Sequence, residues 1–123
     1  MKKIFILCAL IAAAGAILIW RATQLPTEYG AFEGATKTTV TELVAHPKNY
    51  VRKTVAVEEV IRQQCQSMGC FFFFREGNQL LRVELKDIAM NAPMREGRKA
   101  RVEGQMVPFG DGYQLLATAV KFL

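Results

Sequence analysis

Cys65-Gln-Ser-Met-Gly-Cys70 places two thiols and a thioether within six residues, directly ahead of Phe71-Phe72-Phe73-Phe74. Three chemistries suit that set. Two cysteines at the ends of one hairpin loop can form a structural bridge, because paired strand ends supply the ~5–6 Å between α-carbons that a disulfide needs. A loop this small would contribute about 2 kcal/mol in the chain-entropy picture. The same pair could act as a redox dithiol, but Cys-x4-Cys lacks the helix N-terminus that acidifies a redox thiol. Cys65, Met68 and Cys70 together would suit copper as Cu(I), which thiolate and thioether ligands select. Zinc fits less well, since His46 is the sole histidine and a fourth ligand has no source. The structural bridge Cys65–Cys70 is the expectation, with no cofactor.

Neighbouring residues on a strand point to opposite faces, so only two of the four phenylalanine rings can enter a core. Either Phe72 and Phe74 or Phe71 and Phe73 are buried, and the outward pair packs locally or forms a patch that a partner covers. A second aromatic pair, Phe109 and Tyr113, flanks the glycine turn at Gly110-Asp111-Gly112. His46 and Tyr50 have a spacing that suggests haem ligation, but Pro47 between them makes this a turn. No catalytic constellation can be assembled. Ser67 is the only serine and Asp87 and Asp111 are the only aspartates, so no Ser/His/Asp arrangement and no obvious carboxylate pair can be assembled, and the chain does not read as an enzyme.

The elements that must position these residues are mostly strands. Thr41 to Ala45 carries one turn of helical character with Thr41 as its cap, and His46-Pro47 ends it. From there the apolar period is two. The expected strands run over 54–62, with a bulge at Glu58-Glu59, then 70–75, 80–86, 99–106 and 113–122. In the fourth, Ala100, Val102, Gly104 and Met106 face inward and Lys99, Arg101, Glu103 and Gln105 outward. Gly104 sits at mid-strand, where a small barrel bends sharply. Five short strands with one apolar face need closure or a partner. The expected fold is mainly β: a five-stranded barrel of the oligonucleotide/oligosaccharide-binding (OB) type with one short helix, and a β-sandwich as the second choice. In such a barrel the first-second and fourth-fifth loops flank one mouth. That would gather Phe109 and Tyr113 near Gln66, Ser67 and Met68, making Met68, Phe71, Phe73, Phe109 and Tyr113 the candidate partner-binding residues.

Ahead of the barrel, Lys2 and Lys3 precede an uncharged run from Ile4 to Trp20, closed by Arg21. As a helix, the run would span roughly 26 Å at ~1.5 Å per residue, slightly short of a ~30 Å hydrocarbon core. A cleaved signal peptide could use Ala12/Ala14 or Ala14/Ala16, which would leave Ile17-Leu18-Ile19-Trp20 on the mature terminus. An uncleaved anchor, with residues 4–20 in the bacterial inner membrane, uses the whole run and places Trp20 and Arg21 at the headgroups. The positive-inside rule then exports the C-terminal part to the periplasm, where an even number of thiols is oxidised. The expected organisation is an anchor or signal over 1–21, a tether without period over 22–37, and the barrel over 38–123. Without residues 1–24 the chain keeps 13 of its 16 basic residues against 11 acidic ones, a net charge of +2. It lacks the concentrated basic face of a nucleic-acid binder.

A helical turn, Pro47, Tyr50, Val55-x-Val57-x-x-Val60, the Cys-x4-Cys with Gly69 before its second cysteine, Pro93, and the run Glu96-Gly97-Arg98-Lys99-Ala100-Arg101-Val102-Glu103-Gly104 follow one another. This order resembles small exported bacterial OB-fold families of unassigned function. One of them, a domain of unknown function, carries Cys-x-x-x-Gly-Cys-Trp at its first hairpin and a later Gly-Lys-x-Val-x-Val-Glu-Gly strand. The resemblance covers residues 38–123, and Phe71 stands where that family has tryptophan. It implies fold and compartment and carries no established chemistry. The expected function is a non-catalytic, exported, membrane-anchored binding or accessory module that contacts another envelope protein. The alternatives are thiol, copper or redox handling by Cys65, Met68 and Cys70, and binding of an oligonucleotide or oligosaccharide.

Overall fold

The computed structural model describes residues 2–23, 27–64, 71–88 and 96–123. Cys65, Gln66, Ser67, Met68, Cys70 and Pro93 lie outside the described residues, and with them the bridge and copper readings. The elements in chain order are helix α1 (Lys2–Thr23), strands β1 (Glu28–Gly30) and β2 (Thr36–Lys37), helix α2 (Val40–Ala45), a 3-10 turn (Pro47–Tyr50), and strands β3 (Val55–Gln64), β4 (Phe71–Glu76), β5 (Gln79–Glu84), β6 (Lys99–Phe109) and β7 (Gly112–Phe122).

Five of these strands close on themselves. β3 pairs with β4, β4 with β5, β5 in parallel with β7, β7 with β6, and β6 returns to β3. This is the expected five-stranded OB-like barrel, and closure removes the open edges that five short strands would otherwise leave. Two-residue loops set the register of both hairpins: Gly77-Asn78 places Phe73 across from Arg82, and Gly110-Asp111 places Val107 across from Gln114. Phe72 and Phe74 are the core pair, fully buried with ring centroids 5.0 Å apart. Each would contribute on the order of 2–3 kcal/mol by burial.

Three details of the sequence expectation change. The cap of α2 is Thr39, whose hydroxyl accepts from the Glu42 N–H at 3.1 Å, and Thr41 lies inside the helix. The start is set by Val40 and Leu43, one turn apart and fully buried against the barrel. Glu58-Glu59 is not bulged, because Val55, Val57 and Ile61 keep one parity and the β3–β6 register runs unbroken from Val55 to Val60. The irregularity falls between Ile61 and Gln63, on the β4 side. The third detail is Glu103, which leaves the barrel interior as expected but is fully buried rather than solvated.

What buries Glu103 is the stretch read as a free tether. β1 pairs antiparallel with the end of β7, from Glu28↔Lys121 to Gly30↔Ala119, and β2 pairs parallel with the start of β3. Between them the chain crosses the outside of β6, where the Glu33 and Ala35 N–H groups donate to the two Glu103 carboxylate oxygens at 2.7 and 2.9 Å. Gly30 makes this crossing possible. Its φ is +75°, and a Cβ there would lie 2.1 Å from the Thr118 carbonyl oxygen. Gly104 is required by proximity alone, as its Cβ would lie 2.3 Å from the Leu116 carbonyl oxygen. Residues 27–38 are therefore a strap belonging to the barrel.

The run Ile4–Trp20 lies within α1, a 22-residue helix whose Ile4, Phe5, Ile6, Leu7, Leu10 and Ile11 are each more than half exposed, and whose Cys8 is a free, exposed thiol. Among the described residues, no helix is long and apolar enough to cross a membrane.

Candidate functional site

Strand parity builds a mixed polar and aromatic surface on the barrel. With Phe72 and Phe74 inside, Phe71 and Phe73 stand on the outer face of β4, half-buried, with centroids 6.0 Å apart edge to face. With Leu81 and Val83 inside, Arg82 and Glu84 stand on the outer face of β5. Leu115 points inward, so Gln114 before it points outward.

Arg82 joins these side chains. Its guanidinium carbon lies 3.9 Å from the Phe71 ring centroid and 4.5 Å from that of Phe109. Its Nε donates to Gln114 Oε1 at 2.9 Å, and an Nη donates to Glu84 Oε2 at 3.2 Å. Gln114 and Glu84 are themselves buried, at 6 % and 9 % exposure. The guanidinium is thus fixed in plane by two hydrogen bonds and layered against two aromatic rings. Each cation–π contact contributes about 0.5–1 kcal/mol at a partly exposed site, and the plane suits Arg where Lys would not hold. Three of its five N–H groups take no part in those two bonds. Phe109 is 47 % exposed at the rim.

The structure therefore brings Phe71, Phe73 and Phe109 together, and it removes Tyr113 from the group. Tyr113 shares the inward parity of Leu115 and lines an apolar cleft of about 220 Å³ between α2 and the barrel, with Val44, Pro47, Leu80 and Met106. Met68 lies outside the described residues. Arg82, Glu84 and Gln114 were not singled out from the sequence. The signal was there, because counting outward from the Gly77-Asn78 turn sets Arg82 opposite Phe73. His46 ends α2 with its backbone N–H on the Glu42 carbonyl, and the Tyr50 hydroxyl donates to Glu42 Oε1 at 2.9 Å, so the pair serves a turn. Among the described residues, no three His, Cys, Asp or Glu side chains gather as metal ligands.

Neither a family model nor a curated protein matches the chain. Solved structures do, at the level of fold. The protein ygiW from E. coli is similar over 76 % of this chain and 99 % of its own, with a TM-score of 0.55 and 11 % identity. The telomere capping protein Ten1 from Saccharomyces pombe is similar over 72 % of this chain and 81 % of its own, with a TM-score of 0.53 and 7 % identity. A structure described as an aspartyl-tRNA synthetase from Leishmania major Friedlin matches 75 % of this chain with a TM-score of 0.55 and 15 % identity, and this chain spans 21 % of its length. At these identities the likeness establishes the barrel fold alone.

Proposed function

We propose that the protein is a non-catalytic binding module, exported and held at the inner membrane by its N-terminal helix, that contacts another envelope protein through the outer face of β4 and β5. The observation that carries this reading is the Arg82 guanidinium layered on Phe71 and Phe109 and tied to Gln114 and Glu84. Aromatic rings and arginine are the side chains that most often anchor protein interfaces, because they bury large area with few rotors to freeze. The half-exposed rings around a pre-positioned arginine match that composition. The membrane part of the proposal is supported by a helix with exposed apolar side chains from Ile4 to Ile11 and by lysines at its start.

Ten1, a telomere capping protein, shares the barrel. For this chain a protein partner fits better than a nucleic acid. The Arg82 charge is shared with Glu84, and the net charge beyond residue 24 is only +2. The test is photo-crosslinking in cells with a benzophenone side chain placed at position 73 or 109 of the full-length protein, and at Lys48 as a control. The expected result is one discrete protein adduct from 73 and 109, absent from 48 and lost on Arg82→Glu. No adduct, identical adducts from all three positions, or tight salt-dependent oligonucleotide binding that needs Phe71 would overturn the reading.

A further inference from the structure

A second cleft lies away from the Arg82 face and shares no residue with it. It has a volume of about 460 Å³ and is lined by Thr36, Lys37 and Thr38 from the strap, Tyr50 from the 3-10 turn, and Lys53, Thr54 and Val55 at the start of β3. Small-molecule sites typically start at about 300 Å³. The cleft between α2 and the barrel, at about 220 Å³, falls short of that.

The lining is four hydroxyls, two ammonium groups and one apolar side chain, with no carboxylate. The nearby carboxylates are already engaged. Glu42 accepts from Tyr50 at 2.9 Å, and Glu58 is paired with Lys37 at 3.2 Å and Lys99 at 3.7 Å. Lys53, by contrast, has no carboxylate within ion-pair distance among the described residues. Hydroxyl donors are also available. Thr54 Oγ1 accepts from Gln105 Nε2 at 3.3 Å, which leaves its own proton to give. Thr38 is pinned by its N–H to the Ala56 carbonyl at 2.8 Å. Arg52, immediately before Lys53, holds φ at +71°, a left-handed conformation that a side-chain-bearing residue adopts at a cost. The turn is closed by the Lys53 N–H donating to the Tyr50 carbonyl at 3.3 Å, which sets Lys53 and Thr54 in the lining of the cleft.

We propose that this cleft binds a phosphate ester, held by the Lys53 ammonium and the hydroxyls of Thr54 and Thr36, with Lys37 at the rim. A tetrahedral oxyanion offers acceptor oxygens in several directions, which suits a lining of ammonium and hydroxyl donors. Lysine as a point charge suits phosphate, whereas a planar carboxylate would favour the arginine fork that the cleft lacks. Three of the seven lining residues come from the strap, so the site exists only while the strap is docked.

The test uses the full-length protein in detergent micelles and follows backbone amide shifts by NMR as inorganic phosphate is added at constant ionic strength. Saturable shifts at residues 36–38 and 53–55 are expected, absent when chloride replaces phosphate. Lys53→Ala should weaken binding about tenfold, the loss of one charge-assisted hydrogen bond, and Thr54→Val several-fold. Lys48→Ala should change nothing. Non-saturating shifts, equal shifts with chloride, or unchanged binding in Lys53→Ala would overturn the site. Two further arms identify the source of the phosphate. Lys53-dependent shifts with glycerol 3-phosphate point to a soluble ester. The same shifts in phosphatidylglycerol nanodiscs but not in phosphatidylcholine nanodiscs point to an anionic diester headgroup.

Discussion

A fully buried carboxylate is tolerated only when its oxygens are paired, and Glu103 meets that condition through two backbone N–H groups nearly seventy residues away in sequence. Glu103→Gln keeps one accepting oxygen but turns an amide donor toward the other N–H. Chemical denaturation should show a loss of about 1–3 kcal/mol, although the replacement is isosteric. Glu58 makes a smaller and pH-dependent contribution. Its bond from Lys37 holds its carboxyl below the ordinary 4.5. A group with a lowered folded value stabilises the fold fully above its unfolded value and stops doing so as pH falls through the folded one. Glu58→Gln should therefore cost roughly 0.5 kcal/mol at pH 7, and the difference from the wild-type protein should vanish on titration well below 4.5. At this scale the sequence was half legible. Its alternation showed that two of four phenylalanines are buried but not which two, because Phe71 to Phe74 are the same residue and only their neighbours break the tie. Glu103 carried no local sign of burial, since its partners are main-chain groups that any residue type supplies.

Among the elements, the strands were legible and the strap was not. The period of two from Val55 onward and the two glycine turns define β3 to β7 to within a few residues of the observed ends. Residues 27–38 have no period, because they touch the barrel mainly through main-chain pairing and the Glu103 carboxylate, with Tyr29 set edge to face against Phe122, rather than through a repeating apolar face. Gly30 tests the strap alone. Gly30→Ala would drive a Cβ into the Thr118 carbonyl. The strap should detach while the barrel remains folded, and amide exchange at Phe122, whose N–H donates to Thr27 at 2.7 Å, should accelerate at least tenfold relative to Val57 in the core. Uniform acceleration across the barrel would mean that the strap is part of one cooperative unit. Gly104→Ala is the contrasting case. It pushes on two barrel strands directly, so a loss of about 1–3 kcal/mol that reaches every strand is expected.

At the level of the whole molecule, α1 ends at Thr23 and β1 begins at Glu28. The five residue steps between them reach no further than roughly 18 Å when fully extended. A membrane-held α1 would therefore keep the β1 side of the barrel close to the bilayer. A reporter fused after residue 123 should be active on the exported side and inactive in the cytosol, and the opposite result would reverse the proposed topology. Long-range order has a further consequence, because β7 pairs with β1, β5 and β6 at once. A chain emerging from the ribosome cannot close its barrel until residue 122 has been synthesised. If the chain is exported as proposed, it would cross a translocation channel as an open thread and complete its structure on the far side.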